Sequence, residues 1–118
     1  MYGEKIRADD AELFGEVVEA ILSVMGDDAV KIILYGSVAR GDNTPESDVD
    51  IAVLSRRPYD WREREKLLDV TSPLGLKHGT LFSVKVIDED KFNKWLFDLP
   101  FYFNIDEEGK TLWMKETA

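Results

Sequence analysis

No cysteine occurs among the 118 residues, and histidine occurs once, as His78. A disulfide framework, a thiolate zinc site and a cysteine nucleophile are thereby excluded, as is any metal site built on several imidazoles. Basic residues are scarce beside acids, 15 Lys and Arg against 24 Asp and Glu, for a net charge of -9. Such a chain repels a nucleic-acid backbone unless its cations gather on one face, and no basic run is present, so direct nucleic-acid binding is not expected. No apolar stretch approaches the roughly 18 residues that a membrane span needs. The opening "MYGEKIRADD" lacks the apolar core of a signal peptide. A cytoplasmic location without membrane association is the expectation. Repeats, low-complexity tracts and linkers are also missing, and the length suits one domain, residues 1–118, around one core.

What is present is a run of alternating element signals. From Asp9, "DDAELFGEVVEAILSVMG" places Leu13, Val17, Ile21 and Met25 at i, i+4 spacing, an apolar helix face with Asp9 or Asp10 as N-cap and Gly26 at its end. "VKIILYG" reads as a strand buried on both faces, and Ser37 to Arg40 as one or two helical turns. "DVDIAVL" is a second strand, with Asp48 and Asp50 on one face and Val49 on the other. "YDWREREKLLDVTS" reads as a helix capped by Asp60 and ended by Pro73, and its charges as a solvated face. "TLFSVKVI" is a third strand, followed by a helix from about Asp88 to Leu99 with Phe92, Trp95, Leu96 and Leu99 inward. A short aromatic segment, "PFYFNIDEEG", leads into a last strand, "KTLWM". The expected class is α/β (α+β), a small sheet covered by helices. The link between the first two strands is too short for a crossover helix, so that pair should be antiparallel and the sheet mixed.

The chemistry concentrates in "LYGSVARGDNTPESDVDIAVL", residues 34–54. Its two glycines have the outer spacing of a P-loop, but Asp42 and Asn43 stand where that loop needs Lys and Ser or Thr, and a carboxylate there repels phosphate. What remains is Gly36-Ser37 at a strand end, opening a short helix whose free N–H groups and hydroxyl can receive phosphate oxygens. Gly-Ser after a strand is, by itself, most often just a turn. Asp48 and Asp50 add an independent feature. Residues i and i+2 of a strand share a face roughly 6–7 Å apart, a span across which two carboxylates can hold magnesium. A solvated strand start explains Asp-x-Asp alone; directly behind a phosphate-type turn, the metal pair explains it better.

Gly36-Ser37, Arg40-Gly41 and Ser47-Asp48-x-Asp50-Ile51 together resemble the signature of the DNA-polymerase-β-like nucleotidyltransferase superfamily. The compact length and "YGSVARGDNTPESDVDIAVL" are similar to its minimal nucleotidyltransferase (MNT) branch. The resemblance implies the nucleotidyltransferase fold, Gly36 and Ser37 on nucleotide phosphates, and Asp48 and Asp50 as catalytic ligands of Mg²⁺. Arg40 is left with two roles, contacting phosphate or pairing with the acids around it. The superfamily usually carries a third carboxylate on a later strand, as metal ligand and base. Here neither face of "TLFSVKVI" has an acid. Asp88, just beyond it, is the nearest candidate, yet it also stands where the next helix needs a cap. Lys85 can instead turn toward the acids, to neutralise them or to contact phosphate.

The branch also implies an activity and a partner: transfer of a nucleoside monophosphate, AMP from ATP, to a tyrosine of a HEPN-domain toxin, with this chain as antitoxin. The rival is a catalytically degenerate module of the same fold that neutralises its partner by contact alone. A small-molecule nucleotidyltransferase of the aminoglycoside type is a third, which the lack of a further domain disfavours. His78 is expected in a surface loop without a partner. Trp61, Trp95, Phe101, Tyr102, Phe103 and Trp113 are expected in the core or in helix packing, with some aromatics after Pro100 available to a partner.

Overall fold

The first helix begins where Asp10 accepts a hydrogen bond from the Leu13 N–H at 3.1 Å, the N-cap that the acidic start foreshadows. A computed structural model of the chain describes residues 4–116. Helix α1 (Ala11–Met25) buries Leu13, Phe14, Val17, Ile21 and Met25 along one stripe. Gly26 ends it at φ +51, and a 3-10 turn leads into β1 (Ala29–Tyr35). Helix α2 (Gly36–Arg40) and a loop follow, then β2 (Val49–Ser55), α3 (Trp61–His78), β3 (Phe82–Asp88), α4 (Glu89–Lys94), α5 (Pro100–Glu108) and β4 (Lys110–Met114).

The four strands form one sheet in the order β3-β2-β1-β4. β1 is antiparallel to both β2 and β4, whereas β2 and β3 are parallel and joined through α3. The sheet is therefore mixed, as the short link between the first two strands requires. Alternation along the central strands feeds two cores. Ile32, Leu34, Ile51, Val53, Phe82 and Val86 pack with α1 and α3, while Ile33, Tyr35, Ala52, Leu54 and Ile87 pack with Phe92 of α4 and Ile105 of α5. Burial on both faces explains why β1 and β2 read as continuous apolar runs.

Four expectations are corrected. Pro73 does not end α3, which continues to His78. A proline deprives a helix of one N–H bond, and here the turn beyond it is closed locally, with Gly79 left-handed at φ +67. Gly75 lies so close to the strand entry that a Cβ would come within 2.6 Å of the Thr80 carbonyl. The N–H groups of Gly79 and Thr80 both donate to the Gly75 carbonyl. Second, the helix expected over Asp88–Leu99 stops at Lys94, and Pro100 opens a separate helix. Proline disfavours helical geometry in the residue before it, and Leu99 is extended at φ -113, ψ 113. Phe92 is buried and Leu96 partly so, but Trp95 and Leu99 remain 40% and 42% exposed. Third, the aromatics are not mainly core: Trp61, Phe101 and Phe103 are also exposed, while Tyr102 and Trp113 pack partly against the two cores. His78 is likewise no loop residue; it ends α3, half-buried, with Nε2 3.2 Å from Glu16 of α1.

Candidate functional site

Antiparallel pairing of β1 with β2 and parallel pairing of β2 with β3 set Tyr35, Asp50 and Ser83 side by side on one rung. Two rungs inward, on the same face, lie Ile33, Ala52 and Lys85. This face is the one packed by α4 and α5, and Phe101 of α5 stands edge-on to Tyr35 with ring centroids 5.8 Å apart. At the rung's end the chain leaves β1 through Gly36, in the left-handed region at φ +76. A Cβ at Gly36 would lie 2.4 Å from Oδ2 of Asp50. The turn and the acid, fourteen positions apart in the sequence, are thus in direct contact. Ser37 sits in the first turn of α2, which has no side-chain cap, and its carbonyl receives the Gly41 and Asp42 N–H groups that close the helix. Gly41 takes up this closure at φ +83.

Asp48 lies one residue ahead of β2 rather than within it, and is exposed. Its charge nevertheless reaches Asp50. Partial burial first, and then Asp48, push the Asp50 pKa above its ordinary value, against the opposing charges of Lys85 and Arg40. Burial, followed by the Asp50 charge, also raises Tyr35 to about 12, so its phenol keeps its proton at neutral pH and is no base. Arg40 pairs with Asp42 at 3.2 Å and with Glu108 of α5 at 3.0 Å. Of its two roles, the pairing with acids is the one seen.

Asp88 is not brought to this site. It is paired with Ser55, five rungs along β2 from Asp50, which at about 3.3 Å per residue is about 17 Å away. There it caps α4, accepting from the Asp90 N–H at 3.3 Å. A carboxylate at the far end of a parallel pair cannot share a ligand with one at the near end. Asp88→Asn should therefore leave nucleotide binding and any transfer within about twofold of wild type, since asparagine caps as well as aspartate. A drop of orders of magnitude in a transfer assay, with the melting temperature unchanged, would place Asp88 in the chemistry after all.

The donor set at Asp48 and Asp50 fits magnesium. Both ligands are hard oxygens, and this ion is commonly held by one or two carboxylates with phosphates and water completing its shell. Among the described residues no group of three or more His, Cys, Asp or Glu side chains could hold a metal ion, so the pair is not extended by a third acid. Tyr35 and Glu108 belong to the surroundings that sequence reasoning missed. The position of Tyr35 just before Gly36 was a usable signal; nothing local marks Glu108, 68 positions from Arg40.

The description of one protein-family model, nucleotidyltransferase domain, matches residues 16–109. A curated relative from Methanocaldococcus jannaschii, which bears the provisional name protein adenylyltransferase, is 38% identical over 98 residues, covering 83% of this chain and 92% of the relative. Among solved structures, a chain of the complex of tri-AMPylated Shewanella oneidensis HEPN toxin with MNT antitoxin superimposes with a TM-score of 0.57 at 18% identity, over 88% of this chain and 71% of that one. A toxin–antitoxin structure with AMP-PNP gives 0.55 at 22% identity, over 83% and 73%. At such identities these structures share the fold.

Proposed function

Because the chain belongs to the nucleotidyltransferase domain family, we propose that it transfers AMP from ATP to a protein hydroxyl, a tyrosine of a HEPN-domain toxin, and thereby acts as its antitoxin. The observation that carries this reading is the contact between the Gly36 turn and the Asp50 carboxylate. A phosphate-type turn and a carboxylate pair serve one nucleotide only if they adjoin, and here they touch. The adenylyltransferase name of the relative supports AMP as the group moved, and the folds shared with toxin–antitoxin complexes support a HEPN partner.

In this reading Gly36 gives the triphosphate close access to backbone N–H groups, and the Ser37 hydroxyl donates to a phosphate oxygen. Asp48 and Asp50 would hold Mg²⁺, which when bound would supply positive charge against the triphosphate and the leaving pyrophosphate. The tyrosine oxygen attacks the α-phosphorus, the bond to the bridging oxygen breaks, pyrophosphate leaves with that electron pair, and the phenolic proton passes to solvent. Exposed Asp48, just ahead of β2, marks the accessible edge of the site, where a hydroxyl carried by another protein can approach.

Incubation of the protein with α-phosphate-labelled ATP, magnesium and a HEPN-domain toxin tests the proposal. Label is expected on a partner tyrosine, with pyrophosphate released in equal amount. A partner that is bound and inhibited without becoming labelled would instead support the contact-only module.

A further inference from the structure

Residues aligned in a parallel strand pair share a face, so Ser83 flanks Asp50, and Lys85 stands two rungs further in, on the same face, beside the small Ala52. From the strand spacing and rise, the Lys85 Cα is about 8 Å from that of Asp50, a gap that its four-carbon stem can span. The side chain is exposed, and among the described residues it forms no ion pair with a carboxylate. Its charge is nonetheless felt at Asp50. The other nearby cation, Arg40, is already paired to Asp42 and Glu108. A triphosphate reaching the Gly36 turn beside Asp50 meets two carboxylates, and Lys85 is, among the described residues, a cation without a carboxylate partner within reach of them on that face.

We propose that Lys85 is a phosphate-binding residue of the nucleotide site, occupying the strand face where a third acid would otherwise extend the Asp48–Asp50 pair, and contacting the triphosphate of ATP directly. This rests on the adenylyltransferase reading and deepens it: charge compensation comes partly from a side chain of β3 rather than from a further metal-holding carboxylate. An ammonium on a phosphate oxygen is a charge-assisted hydrogen bond, among the stronger ones a protein makes. The competing role is that of a fixed counter-ion, which offsets part of the acid pair's charge and keeps metal away from it.

Calorimetric titration of the full chain separates these, with Mg²⁺-ATP as one probe and Mn²⁺ alone as the other. Lys85→Met should weaken Mg²⁺-ATP binding by about 10- to 100-fold, leave Mn²⁺ affinity unchanged or slightly higher, and leave the melting temperature in place because the side chain is exposed. Lys85→Arg, which keeps the charge, should retain most of the affinity. A Lys85→Met protein that binds Mg²⁺-ATP as tightly as wild type, or binds both probes more tightly, would make Lys85 a counter-ion and overturn the assignment alone. Wild-type protein that is folded yet does not bind Mg²⁺-ATP would overturn the nucleotide reading together with it.

Discussion

Replacing Asp50 by asparagine is expected to lower AMP transfer by about three orders of magnitude or more, since the charge lost is worth several kcal/mol to a phosphoryl-transfer transition state. The fold should persist, because the two side chains are nearly isosteric and Asp50 makes no side-chain hydrogen bond or ion pair among those described. Stability without nucleotide should hold or rise. The Asp50 pKa is raised above 3.8 by burial and then by Asp48, so the folded state binds this proton more tightly than the unfolded state. Its contribution to stability is present below the unfolded value and is lost as pH rises through the folded one. Asparagine removes that loss, and thermal denaturation should favour the variant increasingly from about pH 4 upward. A large loss of stability in Asp50→Asn at pH 7 would mean that the carboxylate is structural.

Gly36→Ala should damage the protein twice over. At φ +76 a Cβ brings backbone strain, worth about 1–3 kcal/mol. The same Cβ would stand 2.4 Å from Oδ2 and 3.2 Å from Cγ of Asp50, so the carboxylate must swing away. Displacing a reacting group by about 1 Å costs about 100-fold in rate, and ATP binding should weaken alongside. The two effects separate in a double-mutant cycle. In an Asp50→Ala background the contacts with Oδ2 and Cγ are gone, the tight one with Cβ at 3.3 Å and the strain remain, and Gly36→Ala should cost less stability there than in wild type. Equal costs in both backgrounds, or a Gly36→Ala variant that transfers AMP at the wild-type rate, would contradict the contact on which the site is built.

Much of the fold was legible because its signals are local. The i, i+4 stripe from Leu13 to Met25 needs no partner to be recognised, and Asp10 and Asp60 cap their helices as their side-chain chemistry allows. The antiparallel pairing of β1 and β2 followed from chain length alone. The failures came where a neighbour outvoted a local rule. Pro73 costs α3 one hydrogen bond without ending it, the helix running on to the Gly79 cap, and the aromatics from Trp95 to Phe103 misled because apolar character was equated with burial. The break before Pro100 was local, and the restriction that proline places on its predecessor could have shown it.

By itself the sequence determined the class of fold, the chemical character of the Gly36-Ser37 turn and the Asp48-x-Asp50 pair, and the absence of any cysteine or multi-histidine chemistry. Composition and spacing carry that information because they restrict which groups exist and which can lie close along one backbone. Tertiary structure alone decided that the turn touches Asp50, that Tyr35 and Ser83 flank it, that Arg40 is tied to Glu108, and that Asp88 stands at the other end of its strand. All of these but the Arg40–Glu108 pair, which joins two helices, depend on strand direction and register. A shift of one residue turns every side chain to the opposite face, and register is fixed by how two apolar faces and their covering helices fit together, which no short stretch of the chain contains.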